Sequence, residues 1–280
     1  MTPSELQVEA EALARAAGEV LRVKFTQART IDFKGPGSSN LVTDADRAAE
    51  RVVIDALQRR FPSHGLLTEE SGAVSAGSVR WILDPLDGTT NYAHGVPHFC
   101  VSLAAEGPWE GQRRVLAAAV FDPMRDELFV AARGQGAALN GQRLQVSATS
   151  ALDRALLCTG FPYDLQRSPA DPLGLFDRLV RQARGMRRMG SAALELAYLA
   201  AGRFDGFFEF GLKPWDVAAG ALLIEEAGGS MACLDGQPWD VRFGDVVAAG
   251  PGLFDTLRTQ CQDFVAARGF VVRPYEPNGG

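Results

Sequence analysis

Several features that identify whole classes of protein are missing from this sequence of 280 residues. Its longer apolar stretches, such as residues 217–224, fall well short of the roughly 20 residues that a membrane span requires. The N-terminal residues are amphipathic and acidic, and they lack the basic start and apolar block of a secretion signal. We therefore expect neither a membrane protein nor an exported one.

Cysteine is also scarce. The four cysteines lie far apart in the sequence, at Cys100, Cys158, Cys233 and Cys261. They form no CxxC pair, and no cysteine–histidine spacing is typical of a zinc site or of a disulfide framework. Because the sequence also shows no export signal, we expect a cytoplasmic location, where the thiols stay reduced.

Positive charge is in deficit. The chain has 28 Lys+Arg against 34 Asp+Glu, which makes the formal net charge −6. A general nucleic-acid binder needs a net positive surface to displace counterions, so we expect no nucleic-acid partner. The hydrophobic share of 46% and the charged share of 22% are those of a folded globular chain rather than a disordered one.

The first half of the chain has the pattern of two helices followed by a largely antiparallel sheet. Ser4 and Gln7 resemble a capping pair before a long apolar stripe, and apolar spacing predicts a second helix over residues 43–61. The Asn140-Gly141 pair predicts a hairpin. Short apolar runs predict strands at Leu66–Thr68, Trp81–Leu83, Phe99–Ala105, Val115–Phe121 and Glu127–Ala131.

The second half alternates between strands and helices, which favours layered α/β packing. Strands are predicted at Ala155–Thr159, Met186–Met189, Phe204–Phe210 and Val246–Ala249. Helices are predicted at Leu173–Ala183, Ser191–Ala201, Asp216–Ala227 and over residues 251–267. The polar stretch Ser147–Ser150 interrupts the pattern, so we place a subdomain boundary there, between residues 1–147 and residues 148–280.

The segment Trp81–Asn91 carries the strongest functional signal. An apolar strand delivers Asp84 to its end, and Asp87 follows one turn later, after Pro85. The next three residues, Gly-Thr-Thr, stand where a helix can begin, and free amides at such a turn bind anions. Two carboxylates would repel a phosphate there unless a hard divalent cation with oxygen ligands, usually Mg²⁺, lay between them. The alternative is that both aspartates only cap a turn.

Further carboxylates stand at similar places along the chain. Glu69 follows the predicted strand Leu66–Thr68, Asp46 lies in the first turn of the second helix, and Asp216 begins a later one. Taken singly, each is more often structural, and Asp216 has the position of a simple N-cap. Together they lie at strand ends and helix starts, which form the edge where layered folds bind ligands.

Four segments of the chain together resemble the inositol monophosphatase family. They are Glu69-Glu70-Ser71, the string D-P-L-D-G-T-T-N at residues 84–91, Gly190-Ser-Ala-Ala193 and Trp215-Asp-Val-Ala-Ala-Gly220. The resemblance covers nearly the whole chain in the family order. It implies a Mg²⁺-dependent, lithium-sensitive phosphatase that forms homodimers. It also implies a layered αβαβα sandwich with an antiparallel first sheet and a mixed second sheet.

The same resemblance implies roles for individual residues. Two or three Mg²⁺ ions would be held by Glu69, Asp84, the Leu86 carbonyl, Asp87 and Asp216. The catalytic group would be Thr89, Asp46 and Glu69, in which Thr89, paired with Asp46, orients the attacking water and helps to deprotonate it without a covalent phosphoenzyme. The substrate-binding positions would be Asp87, Gly88, Thr89, Gly190, Ser191, Ala192, Glu209 and Asp216. Glu209 would accept hydrogen bonds from hydroxyls of the substrate, which suits a small phosphorylated polyol.

The substrate and the class of function have alternatives. Inositol 1-phosphate is the favoured substrate, but relatives process histidinol phosphate, fructose 1,6-bisphosphate and 3′-phosphoadenosine nucleotides. An alternative of another class is a regulatory binding protein that retains the phosphatase fold. Aspartate-nucleophile phosphatases carry D-x-D-G-T, and this chain has Pro85 two residues before Asp87, so that arrangement is absent.

Two positions depart from the family pattern. The loop around Lys34 is one residue longer, and Asn40 stands where an acidic residue is common. An additional metal would bind in this loop, so the number of metals stays open. Outside the motifs, His94 and His98 are assigned structural or solvent roles. A solvated basic face is predicted for Arg181, Arg184, Arg187 and Arg188.

Overall fold

The computed structural model describes residues 1–27, 31–33, 41–75, 77–162, 165 and 170–276. In this part of the chain, three helical layers alternate with two sheets, which confirms the expected αβαβα sandwich. None of the described helices is both long and apolar enough to cross a membrane. Lys34 and Asn40 lie outside the described residues.

The first helical layer covers one face of the larger sheet. It consists of α1 (Pro3–Phe25) and α2 (Asp44–Arg60), and between them along the chain lies a hairpin of β1 (Ile31–Phe33) and β2 (Leu41–Thr43). The cap of α1 predicted at Ser4 was wrong, because the Thr2 hydroxyl accepts the Glu5 amide and the Glu5 carboxylate accepts the Thr2 amide. The predicted second helix is confirmed, and the Thr43 side chain caps it.

Eight of the described strands form the larger sheet. They are β3 (Gly65–Thr68), β4 (Gly72–Ser75), β5 (Arg80–Asp87), β6 (Cys100–Trp109), β7 (Gln112–Asp122), β8 (Glu127–Ala132), β9 (Gly136–Leu139) and β10 (Gln142–Arg143). Their order is β10-β9-β8-β7-β6-β5-β3-β4, and all neighbours are antiparallel except β3 and β5. The predicted hairpin is confirmed, with φ of 48° at Asn140 and 81° at Gly141. The edge strand β4 was not predicted.

The remaining layers come from the second half of the chain. Helices α5 (Ala192–Ala200) and α6 (Pro214–Glu226) lie between the sheets, and α4 (Pro172–Val180) and α7 (Phe254–Ala266) cover the outer face. The second sheet contains β11 (Leu156–Thr159), β12 (Gly185–Arg187), β13 (Gly206–Glu209), β14 (Ser230–Cys233) and β15 (Val246–Ala249). Strand β11 is parallel to β12 and β13, whereas β15 is antiparallel to β13 and β14, which confirms a mixed sheet. Strand β14 was not predicted, and the subdomain boundary at residues 147 and 148 stays a prediction.

Strand β5 packs against a hydrophobic core on each face of the larger sheet, and helix α6 packs within one of these cores. Trp81 and Leu83 belong to the core beneath α1 and α2, whereas Ile82 belongs to the core around α5 and α6. Helices α5 and α6 approach closely because Gly220 leaves room for Leu196. A Cβ at Gly220 would lie 2.5 Å from the Leu196 Cβ. The C-terminal end of β5 and the N-terminal end of α6 are therefore rigid supports for side chains.

Candidate active site

Strand β5 carries two acidic side chains on either side of a break in its ladder. Asp84 pairs with Ser102 of β6 and Asp87 pairs with Cys100, with a register shift between the two pairs. The Leu86 amide turns back to donate a hydrogen bond to Asp84 Oδ1 at 2.9 Å. Because of this local irregularity, both carboxylates lie at the same edge of the sheet.

Gly88 forms the turn from β5 into the short helix α3 (Thr89–Ala93). Its φ is 96°, in the left-handed region that favours glycine. An added Cβ would lie 3.0 Å from the His98 carbonyl oxygen and 3.3 Å from the Gly190 carbonyl oxygen. Both conformation and space therefore require glycine at this turn.

Three aspartates from distant parts of the sequence meet at this edge. Asp84, Asp87 and Asp216 each offer a carboxylate oxygen, and these oxygens lie within 4.8 Å of one another. Asp216 lies in the first turn of α6, where its Oδ2 accepts the Lys213 amide at 2.7 Å. Glu69 follows β3, which is parallel to β5, and it hydrogen-bonds to Asp84. The four carboxylates form one acidic cluster.

Burial and like charge raise the pKa values of this acidic cluster. The pKa of Asp84 is raised well above its usual value by burial, then by the charges of Glu69, Asp87 and Asp216. Burial, followed by the Asp87 and Glu69 charges, raises the pKa of Asp216 in the same way. Burial raises the pKa of Asp87 to about 6, against opposing hydrogen bonds from Ser191 and Ala193. The cluster has more negative charge than its own surroundings compensate.

The donor atoms of the acidic cluster fit a hard divalent cation. Carboxylate and carbonyl oxygens are the ligands that Mg²⁺ prefers, and a cation among them would offset both the burial and the like-charge repulsion that raise the pKa values. The three aspartates and Glu69 supply such oxygens, and the Leu86 carbonyl lies on the same turn. The residues present therefore fit a magnesium site.

A hydroxyl and a further carboxylate lie behind the turn. Thr89 Oγ1 lies 3.2 Å from Asp46 Oδ1 and 3.0 Å from the Leu86 carbonyl oxygen, either of which can accept its proton. Asp46 is fully buried, and its Oδ2 accepts the Thr43 amide at 2.8 Å and the Thr43 hydroxyl at 2.5 Å. The cap of α2 thus fixes the Asp46 carboxylate against Thr89.

The start of α5 fixes the orientation of Asp87. Ser191 Oγ donates to Asp87 Oδ2 at 2.7 Å, and the Ala193 amide donates to the same oxygen at 2.7 Å. Asn91 Nδ2 donates to the His98 and Met189 carbonyl oxygens, each at 2.8 Å. These contacts join the turn after β5 to the segment before α5, and they direct the Ser191 hydroxyl towards Asp87.

Glu209 and Glu195 are two further buried acids, outside the acidic cluster. Glu209 is 7% exposed, and its Oε2 has no hydrogen-bond partner among the described residues. Gly160 lies against this carboxyl, since a Cβ there would be 2.1 Å from Glu209 Oε1. Glu195 accepts the Met189 amide at 2.6 Å and the Gly190 amide at 2.9 Å, and burial raises its pKa to about 7. Burial, then the Glu195 charge, raises the pKa of Glu209 well above its usual value.

A cavity of about 440 Å³ connects these groups. Its walls include the acidic cluster, Glu195, Glu209 and the residues after β11. Two cationic side chains, Arg188 and Lys213, also line it. The cavity has the size of a small-molecule site, and it combines an acidic cluster that fits a cation with positive side chains that suit an anion.

Comparison with known proteins identifies the family. A profile of the inositol monophosphatase family matches residues 2–266. The chain belongs to the inositol monophosphatase family. It is 43% identical over 252 residues to the Nus factor SuhB of Escherichia coli K12, covering 89% of this chain and 93% of that protein. It is 45% identical over 255 residues to the Nus factor SuhB of Pseudomonas aeruginosa PAO1, with the same coverage of 89% and 93%.

A solved structure of an inositol monophosphatase agrees with the fold. The protein from Anabaena (Nostoc) sp. PCC 7120 superposes with a TM-score of 0.82 at 38% sequence identity. The match covers 97% of each chain. The fold of this chain is therefore that of an inositol monophosphatase.

Most residues that the resemblance to inositol monophosphatases singled out line the cavity. They are Glu69, Asp84, Leu86, Asp87, Gly88, Thr89, Gly190, Ser191, Ala192, Glu209 and Asp216. Asp46 is the exception, since it lies behind Thr89. Their catalytic, metal-binding and substrate-binding roles stay predictions.

Sequence reasoning missed Arg188, Glu195 and Gly160 among the residues that line this inositol monophosphatase cavity. Arg188 was assigned to a solvated basic face, but it lines the cavity. Glu195 was not selected, although it is the one acidic residue of the apolar helix α5, which is itself a signal. Gly160 follows a predicted strand without any motif, so only the proximity of Glu209 explains it.

Proposed function

We propose that this chain is a phosphoric monoester hydrolase that acts on a small polyol phosphate, with inositol 1-phosphate as the favoured substrate. The observation that supports this most directly is the convergence of Asp84, Asp87 and Asp216 within 4.8 Å. They line the same cavity as Glu209 and Arg188. The proposed metal ligands therefore lie in the same cavity as the residues proposed to bind the organic part of the substrate.

In the proposed reaction, the acidic cluster binds the metal ions and Thr89 positions the attacking water. Two or three Mg²⁺ ions bound by Glu69, Asp84, Leu86 O, Asp87 and Asp216 would polarise the phosphate and acidify a water molecule. Thr89 Oγ1 accepts a hydrogen bond from the attacking water and donates its own proton towards Asp46. Thr43 holds Asp46 in place for this role. Because water is the attacking group, no residue of the chain needs to attack phosphorus.

The far wall of the cavity recognises the organic part of the substrate. Glu209 Oε2 is buried without a hydrogen-bond partner among the described residues, so a substrate hydroxyl would satisfy it. Arg188 and Lys213 place positive charge near a phosphate dianion. Vicinal hydroxyls on Glu209 favour a polyol, and the same fold leaves histidinol phosphate, fructose 1,6-bisphosphate and 3′-phosphoadenosine nucleotides as alternatives.

Phosphate release from purified protein tests the proposal. We expect Mg²⁺-dependent release from inositol 1-phosphate that exceeds release from the three alternative substrates at equal concentration. Asp87→Asn should abolish it, whereas Asp153→Asn, an exposed aspartate in the second half, should have no effect. Equal rates for the wild type and Asp87→Asn would refute the enzymatic function, and a faster alternative substrate would change the assignment.

Metal substitution tests the cation chemistry separately. Li⁺ and Ca²⁺ should inhibit the reaction. Calcium has longer and looser coordination than the near-octahedral Mg²⁺, and so disturbs an in-line geometry. Full turnover with Ca²⁺ in place of Mg²⁺ would contradict the mechanism.

A second candidate function rests on the names of relatives. Proteins 43% and 45% identical to this chain carry the name Nus factor SuhB, which is the name of a factor rather than of an enzyme. This favours the regulatory alternative as an additional role. Host cells in which the Asp87→Asn variant is the only copy of this protein separate the two functions, because the variant should lack phosphatase activity. Transcript levels that change on deletion and are restored by this variant would support a regulatory role that does not need catalysis, and a failure to restore them would contradict it.

Two further expectations accompany the proposed function. We expect a homodimer, which the molar mass in solution would test. We also expect the protein in the cytoplasm with its four buried cysteines as free thiols. Fractionation of cells and thiol titration of the denatured protein check the second expectation.

A further inference from the structure

A second and larger cavity of about 770 Å³ lies beside the C-terminal end of α6. Its walls include Ala221, Leu222, Ile224 and Glu225 of that helix, together with the starts of β5 and β7. Asp216 stands at the other end of α6, nine residues before Glu225, which is about 13 Å along a helix. The two cavities share no lining residue, so this one is separate from the proposed catalytic site.

Arginine dominates the charge of this second cavity. Its lining has five arginines against three acidic residues. They are Arg80, Arg113, Arg114, Arg133 and Arg242 against Glu106, Glu225 and Asp240. The lining therefore has an excess of two positive charges, on a chain whose formal net charge is −6. Such a local reversal of sign favours an anionic ligand.

The ion pairs locate the excess charge on one wall. Arg133 pairs with Glu225 at 2.8 Å, and Arg242 pairs with Asp240 at 2.6 Å, so these charges balance. Glu106 alone serves both Arg80 and Arg113, at 2.7 and 2.6 Å.

Arg114 adds to the same wall. It donates to the neutral Gln112 Oε1 at 2.6 Å. The excess charge therefore belongs to Arg80, Arg113 and Arg114, the three arginines at the starts of β5 and β7.

An unsatisfied donor points to a ligand on that wall. Arg80 Nε is buried, and it has no hydrogen-bond partner among the described residues. A buried donor without a partner costs about 1 to 3 kcal/mol. An anionic oxygen bound beside Arg80 would remove that cost and use the excess charge of its neighbours.

The remaining wall of the cavity is apolar. Leu222 and Met231 line it together with Trp239 and Val241, and Trp239 is only partly buried. The volume falls within the range of about 300 to 1,000 Å³ that is usual for small-molecule sites. The site therefore suits a compact ligand that has an anionic group and an apolar body.

We propose that this cavity binds a small organic anion, with its anionic group beside Arg80, Arg113 and Arg114 and its apolar body against Leu222 and Trp239. The shared chemistry is that of a phosphate, sulfonate or carboxylate attached to a ring or hydrocarbon. The proposal is independent of phosphatase activity, since it uses none of the residues of the acidic cluster.

Titration with an aromatic sulfonate tests the proposal on the full chain. We use 1-anilinonaphthalene-8-sulfonate, whose fluorescence rises in an apolar site, and expect saturation at one molecule per chain. Arg114→Gln removes exposed charge and should weaken binding about tenfold, which corresponds to about 1.4 kcal/mol. Arg154→Gln, an exposed arginine outside the cavity, is the matched control and should bind like the wild type.

A second variant and two competitors complete the test. Met231→Glu places a negative charge on the apolar wall and should abolish binding, with circular dichroism to show that the protein is folded. Inositol 1-phosphate with Mg²⁺ should not displace the probe, because its polyol ring offers no apolar body to pack against Leu222 and Trp239. Equal affinity of Arg114→Gln and the wild type, or displacement by inositol 1-phosphate, would overturn the proposal. So would tighter binding of a decaglutamate peptide than of the probe, since that would indicate a protein partner.

Discussion

Buried carboxylates lie beside both ends of β5, and the charges around them differ. At the start of the strand, Glu106 is 1% exposed and two arginines contact it. At the end of the strand, Asp84 is 2% exposed and faces Glu69, Asp87 and Asp216 instead. The chain neutralises Glu106 with two of its own arginines, whereas the acids at the end of the strand face mainly one another.

This difference separates a structural acid from a candidate ligand better than burial does. Burial is nearly equal at Glu106 and Asp84, so exposure alone assigns both to the same class. Removing one partner of a buried ion pair is destabilising because the other charge stays buried and unpaired, whereas acids that face one another lower stability until a cation binds. The same chemical change at the two ends of β5 should therefore have opposite effects on stability.

The largest effect is expected from Asp84→Asn. Asparagine keeps the shape of the side chain and an acceptor for the Leu86 amide, but it removes a negative charge from the proposed metal site. Phosphate release should fall by more than the tenfold to hundredfold, about 1.4 to 2.8 kcal/mol, that is typical when a group orienting a ligand is lost. In magnesium-free buffer the variant should unfold at a higher urea concentration than the wild type, because one like charge is gone. Normal turnover together with a lower urea midpoint would contradict the comparison.

The same change at the start of the strand should have the opposite effect on stability. Glu106→Gln leaves Arg80 and Arg113 without their carboxylate, and we expect the free energy of unfolding to fall by about 2 kcal/mol. This is below the cost for a fully buried pair, since the two arginines are 31% and 44% exposed. Turnover per folded molecule should change by less than about twofold. Urea unfolding measures the loss, and Glu110→Gln, an exposed acid on the same hairpin, serves as the control.

A smaller effect is expected when pH is varied without magnesium. Burial raises the pKa of Asp87 from 3.8 to about 6, so the folded protein holds this proton more tightly than the unfolded chain does. Stability should therefore fall as pH rises from about 4 to above 6, by about 1 kcal/mol or more. Saturating Mg²⁺ should reverse this fall above pH 6, because the cation binds the ionised form. Unfolding curves at pH 5 and pH 7.5, with and without Mg²⁺, check the sign, and a rise in metal-free stability over that interval would disprove it.

The smallest effect is expected at Glu195, where a buried acid is satisfied by neutral amides. Its Oε1 accepts the Met189 and Gly190 amides, so Glu195→Gln keeps an acceptor but loses the charge that strengthens both bonds. We expect a decrease of about threefold in kcat/KM for inositol 1-phosphate, since the segment before α5 becomes less well held. Steady-state kinetics measure it, and Glu195→Leu should cost more because both amides lose their acceptor. An equal effect of the two variants would show that Glu195 does not position this segment.

The elements of the fold differ in how readily the sequence reveals them. Strands β5, β6 and β7 were predicted because central strands contact a core on each face and so form continuous apolar runs. Strands β4 and β14 were missed because they lie at sheet edges, and β14 begins at the exposed Ser230. The cap of α1 was misplaced by two residues because Thr2 and Ser4 are both suitable caps, and only the chain path selects between them.

The residues of the candidate site differ in the same way. Asp84, Asp87 and Asp216 have local signals, since each stands at the end of a strand or the start of a helix in a recognisable motif. Arg188 and Gly160 have none, and their places in the cavity depend on how β11 and α5 pack against the turn after β5. Pairing of Glu106 with Arg80 is likewise invisible in the sequence, because it depends on the register of β5 with β6.

By itself, the amino-acid sequence determined the alternation of helices and strands, the family, and the acidic side chains available for a cation. Those properties depend on short-range spacing, which the order of residues states directly. Tertiary structure alone decided which acids meet one another and which meet arginine. Both outcomes join residues from separate strands and helices, and electrostatic energy depends on their distance in space and their burial rather than on their separation along the chain.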